Sequence, residues 1–346
     1  MNKLFIRTDA NSNIGMGHIM RCITIAKALK DIECIFLISD SHAKEIIKEN
    51  GFSFFCLNVD YKKMDNEEII KINEYGNQKK VRNILVDSYY VNEKYLLMLK
   101  KKFIVGCFNC KDKWLPANYI INYNINCDKE LYRNLYKSHN TTLLLGSEYV
   151  PLRAEFVETT YTVKDSVKHV LVMTGGSDYY NFMGQFIEKI CLKPECKDIK
   201  FTFISGMYNT NFDYLQQVAK NTCNVKIIYN EKNISKCMSE NDLVISAGGT
   251  TAYELCAIGV PTILFCIASN QISESEFMGK NNIVKYIGNY GDENFWNHLE
   301  DVFFEIVKDK SYRKTMSKNM KNIVDGKGTL RIAQCIKNVT GTTLKN

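Results

Sequence analysis

The feature that most constrains the fold is a strand-to-helix turn near the start of the chain that contains two glycines and a histidine. Residues 4–6 form an apolar run typical of a strand, and apolar residues recur at helical spacing over residues 19–29. The intervening turn is therefore expected at the carboxyl end of a sheet, where α/β proteins bind ligands. Gly15 and Gly17 permit positive φ and a close approach of the backbone to a ligand.

His18 stands at the start of the helix that follows this turn. An imidazole there can serve as a general base near neutral pH, and the backbone N–H groups beside it attract an anion or a polar sugar. A histidine in this position can also simply cap the helix or face solvent. The Gly-x-Gly-His grouping on a strand-to-helix turn favours the functional interpretation.

Short apolar runs alternate with helical patterns along the whole chain. The predicted strands cover residues 4–6, 34–38, 52–57, 84–86, 103–106, 119–121, 143–145, 169–174, 201–205, 225–229, 243–246 and 262–266, and residues 73–80 are predicted to form a polar loop. This order indicates βαβ units in parallel, doubly wound sheets. With 346 residues, two Rossmann-like domains with a cleft between them are expected, at 1–150 and 151–346.

A second glycine-rich turn follows the strand predicted at residues 243–246. Gly248 and Gly249 remove side-chain bulk, and the N–H groups of Thr250 and Thr251 at the helix start can meet a diphosphate. Glu254 lies about one turn into this helix, where its carboxylate can reach ribose hydroxyls or simply face solvent. A third turn, formed by Gly175, Gly176 and Ser177, follows the first strand of the second half. Neither a Walker P-loop nor a dinucleotide fingerprint occurs, which disfavours phosphoryl and hydride transfer.

Composition and charge narrow the class of protein. The net charge of +7 is mild and diffuse, which does not indicate nucleic-acid binding. No apolar stretch is long enough to span a bilayer, and the N-terminus lacks a signal-peptide pattern. We therefore expect a cytoplasmic protein whose 13 cysteines are reduced thiols. Cys107 and Cys110 have CxxC spacing, but a strand end is favoured there over a metal or redox site.

Taken together, these motifs resemble the UDP-sugar hydrolases of pseudaminic acid biosynthesis, which are similar to MurG-type glycosyltransferases of GT-B architecture. The resemblance covers essentially the whole chain. It rests on Arg7, Asp9, Gly15, Gly17, His18 and Arg21, on residues 86–89, on Gly146 with residues 152–156, on residues 175–178 with Asn181, on residues 246–254, and on Asn270 with Gln271.

The resemblance implies hydrolysis of UDP-2,4-diacetamido-2,4,6-trideoxy-β-L-altropyranose to UDP and the free sugar. We predict that His18 deprotonates a water that attacks the anomeric carbon, with C–O cleavage, inversion and no metal or cofactor. Tyr89 is predicted to hydrogen-bond the water or an acetamido group, or else to be a packed aromatic. Arg21 suits contact with the sugar or the pyrophosphate, or else a surface ion pair.

The remaining predicted substrate-binding residues follow from their places in the motifs. They are Asp9, Gly15, Gly17, Gly175, Gly176, Ser177, Asn181, Gly248, Gly249, Thr250, Thr251, Glu254, Asn270 and Gln271. Asn181 and Asn270 can alternatively be plain turn residues. A monomer without membrane or nucleic-acid partners is expected.

Three other functions fit the same motifs. A glycosyltransferase with the same donor differs only in its acceptor, and a hydrolysing UDP-sugar 2-epimerase differs in the configuration of its product at C2. A catalytically silent regulator that binds a UDP-sugar has no need of a base at residue 18. An acceptor screen, product analysis and binding without turnover distinguish these alternatives.

Overall fold

In a computed structural model the chain divides into two compact units, Met1–Leu152 with Lys327–Asn346, and Arg153–Gly326. The structure describes residues 2–11 and 14–342. Outside the described residues lie Met1, Ser12, Asn13 and residues 343–346. Ser12 and Asn13 belong to the predicted turn, and the others fall within the predicted domain limits. Both units are α/β units built on a parallel sheet, as the alternating pattern of the sequence predicts.

The first unit contains a seven-stranded sheet in the order β3-β2-β1-β4-β5-β6-β7. Its strands are β1 (Asn2–Thr8), β2 (Ile32–Ile38), β3 (Ser53–Cys56), β4 (Asn83–Asp87), β5 (Ile104–Phe108), β6 (Tyr119–Asn122) and β7 (Thr142–Leu145). Its helices up to this point are α1 (Gly17–Ala28), α2 (Lys44–Glu49), α3 (Asn66–Lys79), α4 (Glu93–Lys100) and α5 (Lys129–Leu135), followed by a 3-10 turn at Ser147–Tyr149. The central strands are buried on both faces because helices cover both sides of the sheet.

The second unit contains a six-stranded sheet in the order β10-β9-β8-β11-β12-β13. Its strands are β8 (His169–Met173), β9 (Lys200–Ser205), β10 (Val225–Tyr229), β11 (Leu243–Ala247), β12 (Thr262–Cys266) and β13 (Lys285–Asn289). Its helices are α6 (Ala154–Glu158), α7 (Phe182–Phe186, continued by a π turn at Ile187–Cys191), α8 (Phe212–Lys220), α9 (Ile234–Ser239), α10 (Thr250–Ile258), α11 (Ser269–Lys280), α12 (Phe295–Lys308) and α13 (Lys310–Lys321), with a 3-10 turn at Pro194–Cys196.

The last helix, α14 (Gly328–Thr342), belongs to the first unit and packs against α1. Ile332 and Ile336 are fully buried on it, and the Thr329 hydroxyl donates to the Leu152 carbonyl at 2.8 Å. The sequence analysis assigned residues 327–346 to the second half. The structure instead places them in the first unit, because the chain returns there to bury the apolar face of α14 against α1. A single cut along the sequence cannot represent such a return.

Two further elements differ from their sequence-based predictions. The predicted polar loop at residues 73–80 was wrong for most of its length, because residues up to Lys79 continue helix α3. Asp65 caps the start of the helix, since its carboxylate accepts from Glu67 N–H, and the helix buries Ile69 and Ile72 on one face. Strand β13 was not predicted, because it is a half-buried edge strand with a lysine and a tyrosine in it.

Candidate active site

The first turn lies where the strand order of the first sheet reverses, between β1 and β4. Gly15 adopts φ +77°, and its N–H donates to the Asn11 carbonyl at 2.8 Å. Gly17 begins α1, so His18 is the second residue of that helix. The register pairs Thr8 of β1 with Asp87 of β4, which sets the turn after β1 beside the end of β4. A histidine and a carboxylate from distant parts of the sequence are thereby placed together.

His18 forms a hydrogen bond with Asp87, at 2.8 Å from Nδ1 to Oδ1. Both side chains are buried, with 5% and 1% of their surface exposed. Because an ionised carboxylate only accepts, Nδ1 carries the proton and Nε2 has a free lone pair. Among the residues that the structure describes, Nε2 is buried and has no hydrogen-bond partner. A buried acceptor of this kind is suited to a bound water or a ligand hydroxyl.

Arg21 lies one turn along α1 and contacts the same carboxylate with two nitrogens. Its Nε donates to Asp87 Oδ2 at 2.6 Å, and its Nη2 donates to Oδ1. Burial raises the pKa of Asp87, but the charges of Arg21 and His18 outweigh burial, so that its pKa lies well below the usual range. Asp87 is therefore an anion at neutral pH and holds the imidazole in one orientation.

The far side of Arg21 is enclosed by aromatic residues. Its Nη1 donates to the Tyr123 hydroxyl at 2.7 Å, and its guanidinium lies 4.7 Å from the centre of the Phe108 ring. Phe108 ends β5 and Tyr123 follows β6, so both come from the carboxyl edge of the sheet. Only 13% of the Arg21 side chain is exposed, and its contact with substrate remains a prediction.

Tyr89 follows β4 and packs edge-on against His18, with ring centroids 4.3 Å apart at 76°. Nearly half of Tyr89, 45%, remains exposed. The aromatic ring therefore forms one wall of the His18 site. Its catalytic role remains a prediction.

Asp9, predicted to bind substrate, is buried at the end of β1. One carboxylate oxygen contacts Arg7 Nη1 at 2.5 Å, and the other accepts from Ser39 N–H at 2.8 Å. Arg7 also contacts Glu68, at 2.6 Å from Nε, so these charges form one buried network. The arrangement supports the turn after β1, and a direct substrate contact by Asp9 remains a prediction.

In the second unit, the turn after β8 has Gly175 at φ +87°. The Thr174 hydroxyl donates to the Ser177 carbonyl at 2.9 Å, and the Gly176 carbonyl accepts from Tyr208 N–H at 2.9 Å. Asn181 adopts the left-handed conformation just before α7, with its Oδ1 buried and unpartnered among the described residues. The loop is thus fixed by its own hydrogen bonds.

Helix α10 begins directly after the Gly248-Gly249 pair, at Thr250 and Thr251. Gly249 has φ +106°, a conformation that residues with a Cβ rarely adopt, and no side chain caps the helix. The first N–H groups of α10 thus have no side-chain cap. Such a helix start suits an anion.

Asn270 and Gln271 lie in the first turn of α11, after β12. The Gln271 Oε1 accepts from Ile267 N–H at 2.9 Å, and its Nε2 lies 3.7 Å from the position that a Cβ on Gly249 would occupy. Because β8, β11 and β12 are neighbours in the sheet, the turns after all three share one edge. The predicted residues of the second unit are thereby grouped along that edge.

Glu254 lies on α10 near Arg153, whose Nη2 is 3.4 Å from Glu254 Oε1. Burial raises the pKa of the carboxyl to about 7, although the charge of Arg153 opposes that shift. About a fifth of the Glu254 side chain, 20%, is exposed. The group is thus near the midpoint of its titration at neutral pH.

Sequence reasoning missed Asp87, Tyr123 and Phe108 as members of the His18 site. The available signal was position, since each lies at or just after the carboxyl end of a predicted strand. Asp87 falls within the motif at residues 86–89, but the sequence analysis gave it no role. The order of the strands, which brings β4 next to β1, was needed to identify it as the partner of His18.

The cysteine pair is divided by the end of β5. Cys107 is buried within the strand, whereas Cys110 is exposed. Across residues 2–11 and 14–342, no group of three or more His, Cys, Asp or Glu side chains is arranged to hold a metal ion. In the same residues every helix is too short or too polar to cross a lipid bilayer.

Comparison with known proteins extends these observations. Residues 170–332 match the glycosyltransferase family 28 C-terminal domain. Among solved structures, MurG from Acinetobacter baumannii superposes with a TM-score of 0.70 at 13% identity, covering 97% of this chain and 99% of MurG. UDP-GlcNAc 2-epimerase from Neisseria meningitidis, bound to UDP-GlcNAc, gives 0.66 at 13% identity and covers all of both chains. The chain has the GT-B fold.

Curated relatives confirm the resemblance that the motifs indicated. A UDP-2,4-diacetamido-2,4,6-trideoxy-β-L-altropyranose hydrolase from Campylobacter jejuni is 22% identical over 80% of this chain and 96% of its own. A Helicobacter pylori protein named as a pseudaminic acid cytidylyltransferase and the same hydrolase is 27% identical over 78% of this chain. An uncharacterized protein from Methanocaldococcus jannaschii is 25% identical over 76%. The chain spans about half the length of the last two, 46% and 55%.

Proposed function

We propose that this GT-B protein hydrolyses UDP-2,4-diacetamido-2,4,6-trideoxy-β-L-altropyranose to UDP and the free sugar. The observation that carries the proposal is the His18–Asp87 pair at the carboxyl edge of the first sheet, whose buried Nε2 has no hydrogen-bond partner within the described part of the chain. The names of the C. jejuni and H. pylori relatives supply the substrate.

The chemistry needs one general base and an anion site. His18 Nε2 takes a proton from water as the water oxygen bonds to the anomeric carbon. The bond between that carbon and the diphosphate oxygen breaks, and UDP leaves with the bonding electrons. Because a diphosphate is a stable anion, the leaving group needs little protonation. The work left to the protein is positioning and charge stabilisation.

The second unit supplies features that suit UDP. The uncapped start of α10 offers N–H groups to the diphosphate, and Gly248 and Gly249 let the ligand approach the backbone. Glu254 is one turn further along the same helix, and we expect its carboxyl to hydrogen-bond a ribose. Structural neighbours solved with UDP or UDP-GlcNAc support nucleotide binding at this type of sheet.

Transfer of the sugar to another acceptor is the second candidate. The match of residues 170–332 to the glycosyltransferase family 28 C-terminal domain favours it, because that family is named for sugar transfer. The two activities share the donor and differ in whether water or another hydroxyl attacks. Product analysis without any added acceptor separates them.

The test compares wild type, His18→Asn and His42→Asn in turnover of the UDP-sugar and in binding of UDP. His42 is an exposed histidine that hydrogen-bonds to nearby Asp40, so His42→Asn is the matched control. We expect His18→Asn to lower kcat by about 10²- to 10⁴-fold with UDP affinity retained. Unchanged turnover in His18→Asn would remove His18 as the base, and release of sugar only when an acceptor is added would favour the transferase.

A further inference from the structure

We propose that Arg21 is a positioning residue, which clamps Asp87 and disfavours positive charge on the His18 ring, and is not a ligand of the substrate. The inference rests on the proposed function of His18 as a base. It replaces the role predicted for Arg21 from its place on the helix face. Three contacts of the guanidinium carry the argument.

The first contact is a bidentate hydrogen bond from Arg21 to the Asp87 carboxylate. Nε and Nη2 of Arg21 donate to the two oxygens of Asp87, while Oδ1 also accepts from His18 Nδ1. A bidentate pair of this kind fixes the plane of the carboxylate as well as its position. The imidazole is therefore aligned through Asp87 by a side chain that has no direct part in proton transfer.

The second contact locks the arginine itself. Nη1 donates to the Tyr123 hydroxyl at 2.7 Å, and the guanidinium lies over the Phe108 ring. All three nitrogens are thus engaged by protein groups, and the side chain is 13% exposed. To bind a sugar or a phosphate, Arg21 would have to give up part of this network. The geometry favours a fixed support over a mobile ligand-binding side chain.

The third contact is between the Arg21 guanidinium and the His18 imidazole. Arg21 Nη2 lies 3.0 Å from His18 Nδ1. An anion beside a histidine favours the protonated ring, and acting alone it would reduce the fraction of the ring that is free to accept a proton. Here the guanidinium offsets that attraction at contact distance. Asp87 can then orient the ring while Arg21 opposes its protonation.

Other groups around the pair do not supply the opposing charge. In the part of the chain that the structure describes, the other titratable or charged groups near His18, Arg21 or Asp87 are Cys22, Tyr89, Cys107, Cys110, Lys111 and Tyr123. Burial raises the pKa of the Cys22 and Cys107 thiols, which are therefore neutral. The Lys111 amine contacts the backbone carbonyl of Tyr89. Arg21 is the cation that contacts the imidazole among residues 2–11 and 14–342.

The test uses two variants. Arg21→Gln removes the positive charge, whereas Arg21→Lys keeps the charge but cannot form the bidentate hydrogen bond to the two oxygens of Asp87. For Arg21→Gln we expect the acid limb of the kcat/KM profile to move up by about one pH unit. For Arg21→Lys we expect an unmoved limb and a fall in kcat of about tenfold. KM stays close to wild type in both. Higher KM with unmoved limbs in both variants would make Arg21 a substrate ligand and overturn the inference.

A readout without turnover separates this inference from the proposed function. The NMR titration of the His18 ring, assigned by its absence in His18→Asn, should have its midpoint moved up in Arg21→Gln and down in Asp87→Asn. Asp87→Asn keeps the test decisive if Arg21→Gln does not fold. Those shifts without any hydrolysis would refute the proposed function and leave the inference standing. Hydrolysis with unmoved midpoints would refute the inference alone.

Discussion

The Glu254 carboxyl makes the stability of the second unit depend on pH. The unfolded chain releases this proton from about pH 4.5 upward, whereas burial, opposed in part by Arg153, holds it in the folded unit to about pH 7. The folded state therefore binds more protons between those values, and the free energy of unfolding falls as pH rises through that window. Above about pH 7 this contribution is constant.

We predict that Glu254→Gln removes this dependence. Relative to wild type, the variant should gain about 1 to 3 kcal/mol in the free energy of unfolding between pH 5 and pH 8. Urea unfolding followed by Trp296 fluorescence in a Trp114→Phe background reports on the second unit. Glu240→Gln, at a side chain that is 61% exposed, is the matched control. Equal pH dependence in wild type and Glu254→Gln would contradict the account.

At this scale the sequence could point to some site residues but not to their partners. His18 and the glycines were recognisable because their chemistry is local to a turn. Asp87 is 69 residues away from His18 in the sequence, and it reaches the His18 ring because β4 pairs with β1. Arg21 was recognised, but its orientation towards Tyr123, 102 residues later, depends on side-chain packing that spacing does not reveal.

At the scale of elements, the proposed UDP site depends most on the start of α10. We predict that Gly249→Ala weakens UDP binding by at least about tenfold and lowers stability by about 1 to 3 kcal/mol, because φ +106° strains any residue with a Cβ. Isothermal titration with UDP measures the affinity. Gly341→Ala is the control, since a Cβ there lies more than 4 Å from the atoms of the described residues that pack around it. Wild-type affinity in Gly249→Ala would separate this turn from the UDP site.

Most of the elements could be predicted because buried parallel strands are continuous apolar runs. The twelve strands predicted from such runs are all present. Helix α3 and strand β13 were missed for a shared reason, since neither carries such a run. Helix α3 has a narrow apolar stripe in a polar sequence, including Gly76 packed against Phe103, and β13 is an edge strand that is only half buried.

At the scale of the whole molecule, the return of α14 ties the end of the chain to the first unit. We predict that Ile336→Ala lowers the stability of that unit by about 2 to 5 kcal/mol, since the side chain is fully buried. Leu330→Ala on the same helix, at a side chain that is 64% exposed, is the matched control and should have little effect. Hydrogen exchange of β1 and β4 against β8 and β11 resolves the two units. Unchanged protection of β1 and β4 in Ile336→Ala would contradict the assignment of α14.

The two parallel sheets followed from the pattern of strands and helices, and the GT-B fold followed from the family resemblance, whereas neither indicated the place of α14. A helix at the end of a chain carries no local signal of which sheet it covers. Its position depends on complementary apolar faces, here those of α1 and α14. The pairing of His18 with Asp87 likewise has no local signal in the sequence, because it depends on the order of the strands.

The central claim is that water attacks the anomeric carbon and that UDP leaves intact. Hydrolysis of the UDP-sugar in oxygen-18 water, with mass analysis of both products, tests it most directly. The account predicts one labelled oxygen in the free sugar and none in UDP. Label in UDP would show attack at phosphorus and contradict the account, as would the absence of any hydrolysis by a protein that binds UDP.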